Sequence, residues 1–174
     1  QETISHTAKL ADVSQQAAFL NERLCNIKEK IKRLEQQMEG ILGRNLTLST
    51  NYNLLTSITG IGMINAIIML CVTDNFKRFT DPRKFACYCG VAPFEHTSGI
   101  SLRGKTQTSP LSNKQIKVYI TRAAITAMCY DPKMNAYYKR KTVQGKHKAS
   151  VVNAITAKII ARCFAVIRSQ TPYV

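Results

Sequence analysis

From Leu10 onward the apolar residues Leu10, Val13, Ala17, Leu20, Leu24, Ile27, Ile31, Leu34, Met38 and Ile41 recur at alternating steps of three and four. The result is an unbroken a/d heptad seam, with Glu22, Arg23, Lys28, Glu29, Lys30, Arg33 and Glu35 mostly off it. A helix of that length reaches about 48 Å at 1.5 Å per residue, too long and too polar on its other face for a core helix. It needs a partner, so the spacing predicts a coiled-coil oligomerisation arm over residues 1–45. One long amphipathic helix folded back on the rest of the chain is the alternative. Gly40 and Gly43 loosen its end, and Asn45 to Asn53 reads as a polar connector. That gives a linker over 46–53 and a second domain over 54–174.

Charge divides the chain at the same place. Residues 1–50 carry 7 Lys/Arg and 6 Asp/Glu, whereas residues 51–174 carry 18 and 4. A domain that basic repels itself unless it meets a polyanion, and nucleic acid is the usual one because each neutralised phosphate releases a counterion. Charge alone does not separate DNA from RNA, and a merely soluble basic protein is the bland alternative.

Beyond residue 50 the pattern is of short helices with strong stops. Asp81-Pro82 and Asp131-Pro132 place an N-cap before a first-turn proline, and Gly90 and Gly145 sit where C′ glycines belong. Ser112 can cap a helix to about Tyr130 whose buried face uses Ile116, Ile120, Ala123, Ala124, Ala127 and Met128. A last helix from about Ala149 to Arg168 carries Val152, Ile155, Ile159, Ile160, Cys163 and Ile167. No segment alternates with period two for long enough to predict a sheet, so the expected fold is all-α.

The six cysteines, Cys25, Cys71, Cys87, Cys89, Cys129 and Cys163, lack paired CxxC spacing and read as small buried hydrophobes in a reducing compartment. Cys87-Tyr88-Cys89 cannot complete a zinc tetrahedron by itself. Without a signal peptide or an apolar run of spanning length in the sequence, the expectation is a cytoplasmic protein with no membrane partner. Gln1 opens in polar, helix-compatible sequence with no initiating Met, which suggests a piece of something longer.

Three stretches carry candidate chemistry. "LLTSITGIGMINAIIML", Leu54 to Leu70, has the form of a helix-hairpin-helix. Gly60 and Gly62 permit a tight turn that brings backbone N–H groups to a phosphate, Ile61 anchors the turn, and the next helix adds its dipole. An ordinary Gly-rich packing turn is the alternative. Metal-dependent phosphodiester chemistry needs clustered carboxylates, and residues 51–174 offer only Asp74, Asp81, Glu95 and Asp131, so no metal site is expected here. A side chain that attacks phosphorus directly escapes that need. In "HTSGISLRGKT", Ser98 precedes the flexible Gly99, Arg103 and Lys105 can neutralise charge on a pentavalent phosphorus, and His96 can hold a phosphate. Taken alone, Ser98-Gly99 reads first as common turn chemistry. Tyr137 and Tyr138 form the rival nucleophile, but no Arg-His-Arg constellation accompanies them. A basic helix face with Lys139 and Arg140 is the simpler reading, as is a solvated patch for Lys146 and Lys148. Lys114, opening the helix after "LSN", completes the expected phosphate contacts.

The ordered set "LLTSITGIG", "FTDPRKFACYCGVAPFEHTSG", "RGK" and "SNKQIKVYITRAAITA" resembles the C-terminal transposase domain of the IS-one-ten family of insertion-sequence transposases, with its IS-one-eleven-eleven and IS-one-sixteen types. The resemblance runs from about Leu54 to Ile167, and the heptad segment resembles that family's coiled-coil linker. It implies an acidic, RuvC-like, Mg-binding domain outside this chain and DNA as the partner. It also implies a serine that becomes covalently joined to DNA and, in some members, a structured guide RNA. Ser98 in "HTSG" matches the family's serine-glycine motif. The function expected is therefore that of a transposase fragment, inactive alone, that binds DNA and supplies Ser98 for phosphodiester exchange. A non-enzymatic helix-hairpin-helix module that binds DNA or RNA is the alternative.

Overall fold

In the computed structural model the described residues are 2–92, 97–98, 102–103 and 108–174; for 2–12, 14 and the two short strand segments the description is of the backbone. The chain divides into two compact units, Gln1–Asn45 and Leu46–Val174. The first is helix α1, Glu2–Gly43. Its heptad stripe has no cover within the unit: Leu20, Leu24, Ile27, Ile31 and Leu34 are each at least half exposed.

The second unit is helical, in keeping with the all-α expectation. Its helices are α2 (Leu46–Thr56), α3 (Met63–Thr73), α4 (Pro82–Tyr88), α5 (Lys114–Tyr130), α6 (Pro132–Val143) and α7 (Lys148–Ser169). The predicted stops operate as written. Asp81 accepts from the Arg83 N–H at 2.9 Å, and Asp131 from those of Lys133 and Met134 at 2.8 and 3.3 Å, each ahead of a first-turn proline. Helix α5 starts one residue later than read, because Asn113 rather than Ser112 accepts from the Ile116 N–H.

Helix α7 is the centre of the unit and packs against α2, α4, α5 and α6. Ile155, Ile159 and Ile160 are fully buried on it, and Phe164 meets Phe76 edge-on at 4.9 Å and Phe85 at 5.7 Å. Such aromatic pairs add about 0.5–1.5 kcal/mol beyond their area. Ile116, Ile120, Ala123, Ala124 and Ala127 are the buried face of α5, as their spacing predicts, while Met128 is half-buried.

Four expectations need correction. Residues 46–53 are not a connector: they belong to α2, where Asn51 is buried and donates to Asn75 Oδ1 at 2.7 Å while accepting from Gln170 Nε2 at 3.2 Å. A buried amide satisfied on both sides reads as a polar linker residue until its partners are known. Helix α7 is, by length and composition, apolar enough to cross a membrane. It is instead a core helix, with its apolar face buried and Arg162 paired to Asp131. The cysteines are all free, but only Cys89 and Cys163 are buried; Cys25, Cys71 and Cys129 are exposed. Burial pushes both buried thiols up to about 12. Finally, Thr97–Ser98 (β1) and Leu102–Arg103 (β2) pair as a short antiparallel ladder, Thr97 opposite Arg103 and Ser98 opposite Leu102.

Candidate nucleic-acid interface

The ladder carries two of the three residues expected to do chemistry, Ser98 and Arg103, brought close along the backbone by its register. His96, Gly99 and Lys105 lie outside the described residues.

Both roots of this segment are fastened. At its start, Gly90 adopts φ +67°, and a Cβ there would come within 2.5 Å of Ser112 Oγ, so the returning chain lies directly against it. The Gly90 carbonyl accepts from Lys117 Nζ at 2.7 Å, and the Val91 carbonyl accepts from Asn153 Nδ2 at 2.8 Å. At its end, the Asn113 N–H donates to the Tyr88 carbonyl at 2.9 Å. Three elements, α4, α5 and α7, thus fix the chain on both sides of the Ser98 segment.

Gly60, Ile61 and Gly62 form the turn between α2 and α3, which pack on one another. The three differ in role. Ile61 is buried and donates its N–H to the Ile58 carbonyl at 2.9 Å, anchoring the turn as expected. Gly60, at φ +99°, faces protein: a Cβ would collide with the Ala123 carbonyl and lie 2.9 Å from the Ala127 nitrogen. Its need for glycine comes from the close approach of α5. Gly62 is exposed at the N-terminus of α3, where no side chain caps the free N–H groups. Of the two glycines, only Gly62 is exposed.

The expected lysines and arginine are on the surface. Lys114 opens α5, Lys139 and Arg140 are exposed on α6, and Lys146 and Lys148 flank His147, whose Nδ1 caps α7 by accepting from the Ala149 N–H. Arg140 and Lys158 both lie over the ring of Tyr137, at 5.6 and 4.8 Å. Lys114 and Lys148 each occupy a helix's first turn, where a cation opposes the dipole and an acid is normally favoured.

Among the described residues no three His, Cys, Asp or Glu side chains gather as a metal site. Asp81 caps α4 and Asp131 caps α6, and Asp131 is also ion-paired with Arg162 at 2.6 Å. Asp74 closes α3 in a left-handed conformation. These three carboxylates are committed to helix ends, and Asp131 to Arg162 as well. Reading of the sequence missed Lys117 and Asn153. Each bonds a carbonyl more than 25 residues away, and no local pattern marks such a partner.

Residues 52–139, half of the chain and the stretch from α2 into α6, match the model of the transposase IS116/IS110/IS902 family. Over 157 residues the chain is 26% identical to a pilin gene-inverting protein of Moraxella lacunata, covering 90% of this chain and 49% of that protein. The corresponding protein of Moraxella bovis is 25% identical over the same length. The insertion element IS110 uncharacterized 43.6 kDa protein of Streptomyces coelicolor is 29% identical over 150 residues, covering 86% of this chain and 36% of that protein. The chain spans about half or less of the length of these relatives. Helical fold, basic second unit and matched segment agree, and the chain belongs to the transposase IS116/IS110/IS902 family.

Proposed function

We propose that this chain is the DNA-binding and serine-bearing part of a longer recombinase that cuts and rejoins DNA strands. The observation that carries the reading is the family match over 52–139, a stretch that includes Ser98. Two relatives are named for inverting a pilin gene, a DNA rearrangement, which supports strand exchange as the chemistry. In the proposed step Ser98 Oγ forms a P–O bond to a backbone phosphate as the bond from phosphorus to a sugar oxygen breaks. The serine proton leaves to water and the departing oxygen takes one up. One ester is exchanged for another, so the energy of the phosphodiester is kept for rejoining.

Arg103 and Lys105 neutralise charge developing on phosphorus, worth a few kcal/mol when such donors are preorganised. The α2–α3 turn acts as a helix-hairpin-helix that grips the backbone through the N–H groups after Gly62, with Ile61 as its anchor and Lys114, Lys139, Arg140, Lys146 and Lys148 as further phosphate contacts. Helix α1 pairs with a second copy through its exposed seam. Mg and the acidic RuvC-like domain belong to the rest of the longer protein, and a guide RNA, where used, supplies the choice of target.

Salt titration of DNA binding separates this reading from a purely architectural module. The proposal expects affinity for DNA that falls steeply with salt and is unchanged by Ser98→Ala, together with strand exchange that the same substitution abolishes. Exchange by the Ser98→Ala protein, or no salt-dependent binding by the native chain, contradicts it.

A further inference from the structure

The sequence-derived phosphate contacts are scattered, but the surface of the second unit holds a groove-like row of three cavities, each sharing lining residues with the next. It begins in a cavity of about 580 Å³ between the end of the Ser98 segment and α5, lined by Thr108, Lys114, Lys117 and Arg122. Lys117 and Thr121 are shared with a second cavity of about 720 Å³ that runs to the first turns of α7, at Ser150 and Asn153. Ser150 is in turn shared with a third of about 170 Å³ against α6, lined by Tyr137, Lys141 and Lys146. The described lining contains five cations, Lys114, Lys117, Arg122, Lys141 and Lys146, and no carboxylate. Hydroxyls of Thr121 and Ser150 lie between them.

We infer that this groove is the track for the phosphodiester backbone of the DNA strand on which Ser98 acts. The inference rests on the reading under Proposed function and adds Lys117, Arg122 and Lys141 to the interface. A single-sign groove between low-dielectric walls concentrates a polyanion, and a row of cations and hydroxyls positions a backbone without reading its bases. Lys117 has the central place. It spends one of its three donors on the Gly90 carbonyl at the root of the Ser98 segment and lines two of the three cavities. Backbone in the groove therefore passes directly beside the root of the segment that carries Ser98. Arg83 and Lys84 on α4, by contrast, do not line it.

The test compares two double variants of equal charge in the 174-residue chain, with folding of both checked by circular dichroism. They are Arg122→Ala/Lys141→Ala in the groove and Arg83→Ala/Lys84→Ala, exposed on α4, outside it. Fluorescence anisotropy with a labelled DNA duplex is measured between about 50 and 200 mM salt. The groove pair is expected to lower the slope of log K against log salt by about 1.8, at about 0.9 for each phosphate left without its cation. Its affinity falls at least about tenfold at the lower salt, with a clearly smaller change for the outer pair. Equal weakening in the two variants, or a stronger effect in the outer pair, overturns the groove and leaves DNA binding standing. No binding by the native chain overturns both.

Discussion

Asn153 Nδ2 on α7 donates to the carbonyl oxygen of Val91 at 2.8 Å, across 62 residues of chain. With Lys117 on Gly90 it fixes where the Ser98 segment leaves the helical core. An active group displaced by about 1 Å loses on the order of a hundredfold in rate. Asn153→Ala, which removes no charge, is expected to slow covalent attachment to DNA about tenfold or more, a larger loss than that in DNA affinity. A parallel loss of binding and rate assigns Asn153 to general folding.

The two glycines of the α2–α3 turn answer differently to substitution. Gly60→Ala forces a Cβ against the Ala123 carbonyl at a positive φ and is expected to cost about 2–4 kcal/mol. Gly62→Ala, at φ −89° with nothing within 4 Å of the added carbon, is expected to stay within about 0.5 kcal/mol. Denaturant midpoints of the two variants decide it; a tolerant Gly60 means α5 does not sit where described.

Asp131 links stability to pH. Its burial raises the carboxyl, but the hydrogen bond from Arg162, those from the Met134 and Lys133 N–H groups, and the Arg162 charge outweigh that. The carboxyl is held below its ordinary 3.8. A depressed carboxylate adds stability above the unfolded-state value and loses it as pH falls through the folded one. Asp131→Asn leaves Arg162 with Tyr173 stacked at 4.4 Å but no counter-charge, and is expected to cost about 3 kcal/mol at pH 7. Thermal melts then show the gap to the native chain closing below about pH 3.8; a gap independent of pH contradicts the pair.

The seam of α1, where Leu24 and Ile31 are 53% and 50% exposed, is the surface proposed for self-association. Burying such side chains contributes about 1.5–3 kcal/mol each. Sedimentation at micromolar concentration is expected to show an oligomer, with Leu24→Lys/Ile31→Lys raising its dissociation constant at least about a hundredfold. A native chain that sediments as a monomer rules the coiled coil out.

The fold was legible wherever a local rule decides it. Asp-Pro pairs mark helix starts, the α5 face repeats at helical spacing, and the heptads run unbroken. Legibility ended where a residue's meaning depends on a distant partner. Asn51 looks like a linker residue because its partners, Asn75 and Gln170, are 24 and 119 residues away. The packing demand on Gly60 is hidden because α5 is not visible from the turn. The β1–β2 ladder, two residues a side, is too short to produce an alternation. The Ser98 motif is local in sequence, but the groove is not, since its cations come from α5, α6 and the segment before α7.

A covalent-adduct assay reaches the Ser98 oxygen directly. The longer protein containing this chain, with Mg, any guide RNA and the element's end DNA, is resolved on a denaturing gel as native protein and as Ser98→Ala. The linked nucleotide is then mapped by mass spectrometry. A detergent-stable protein–DNA species in the native protein, absent in Ser98→Ala and mapped to the Ser98 peptide, is the expected result. An adduct that survives the substitution, or that maps to Tyr137, contradicts Ser98 as the nucleophile.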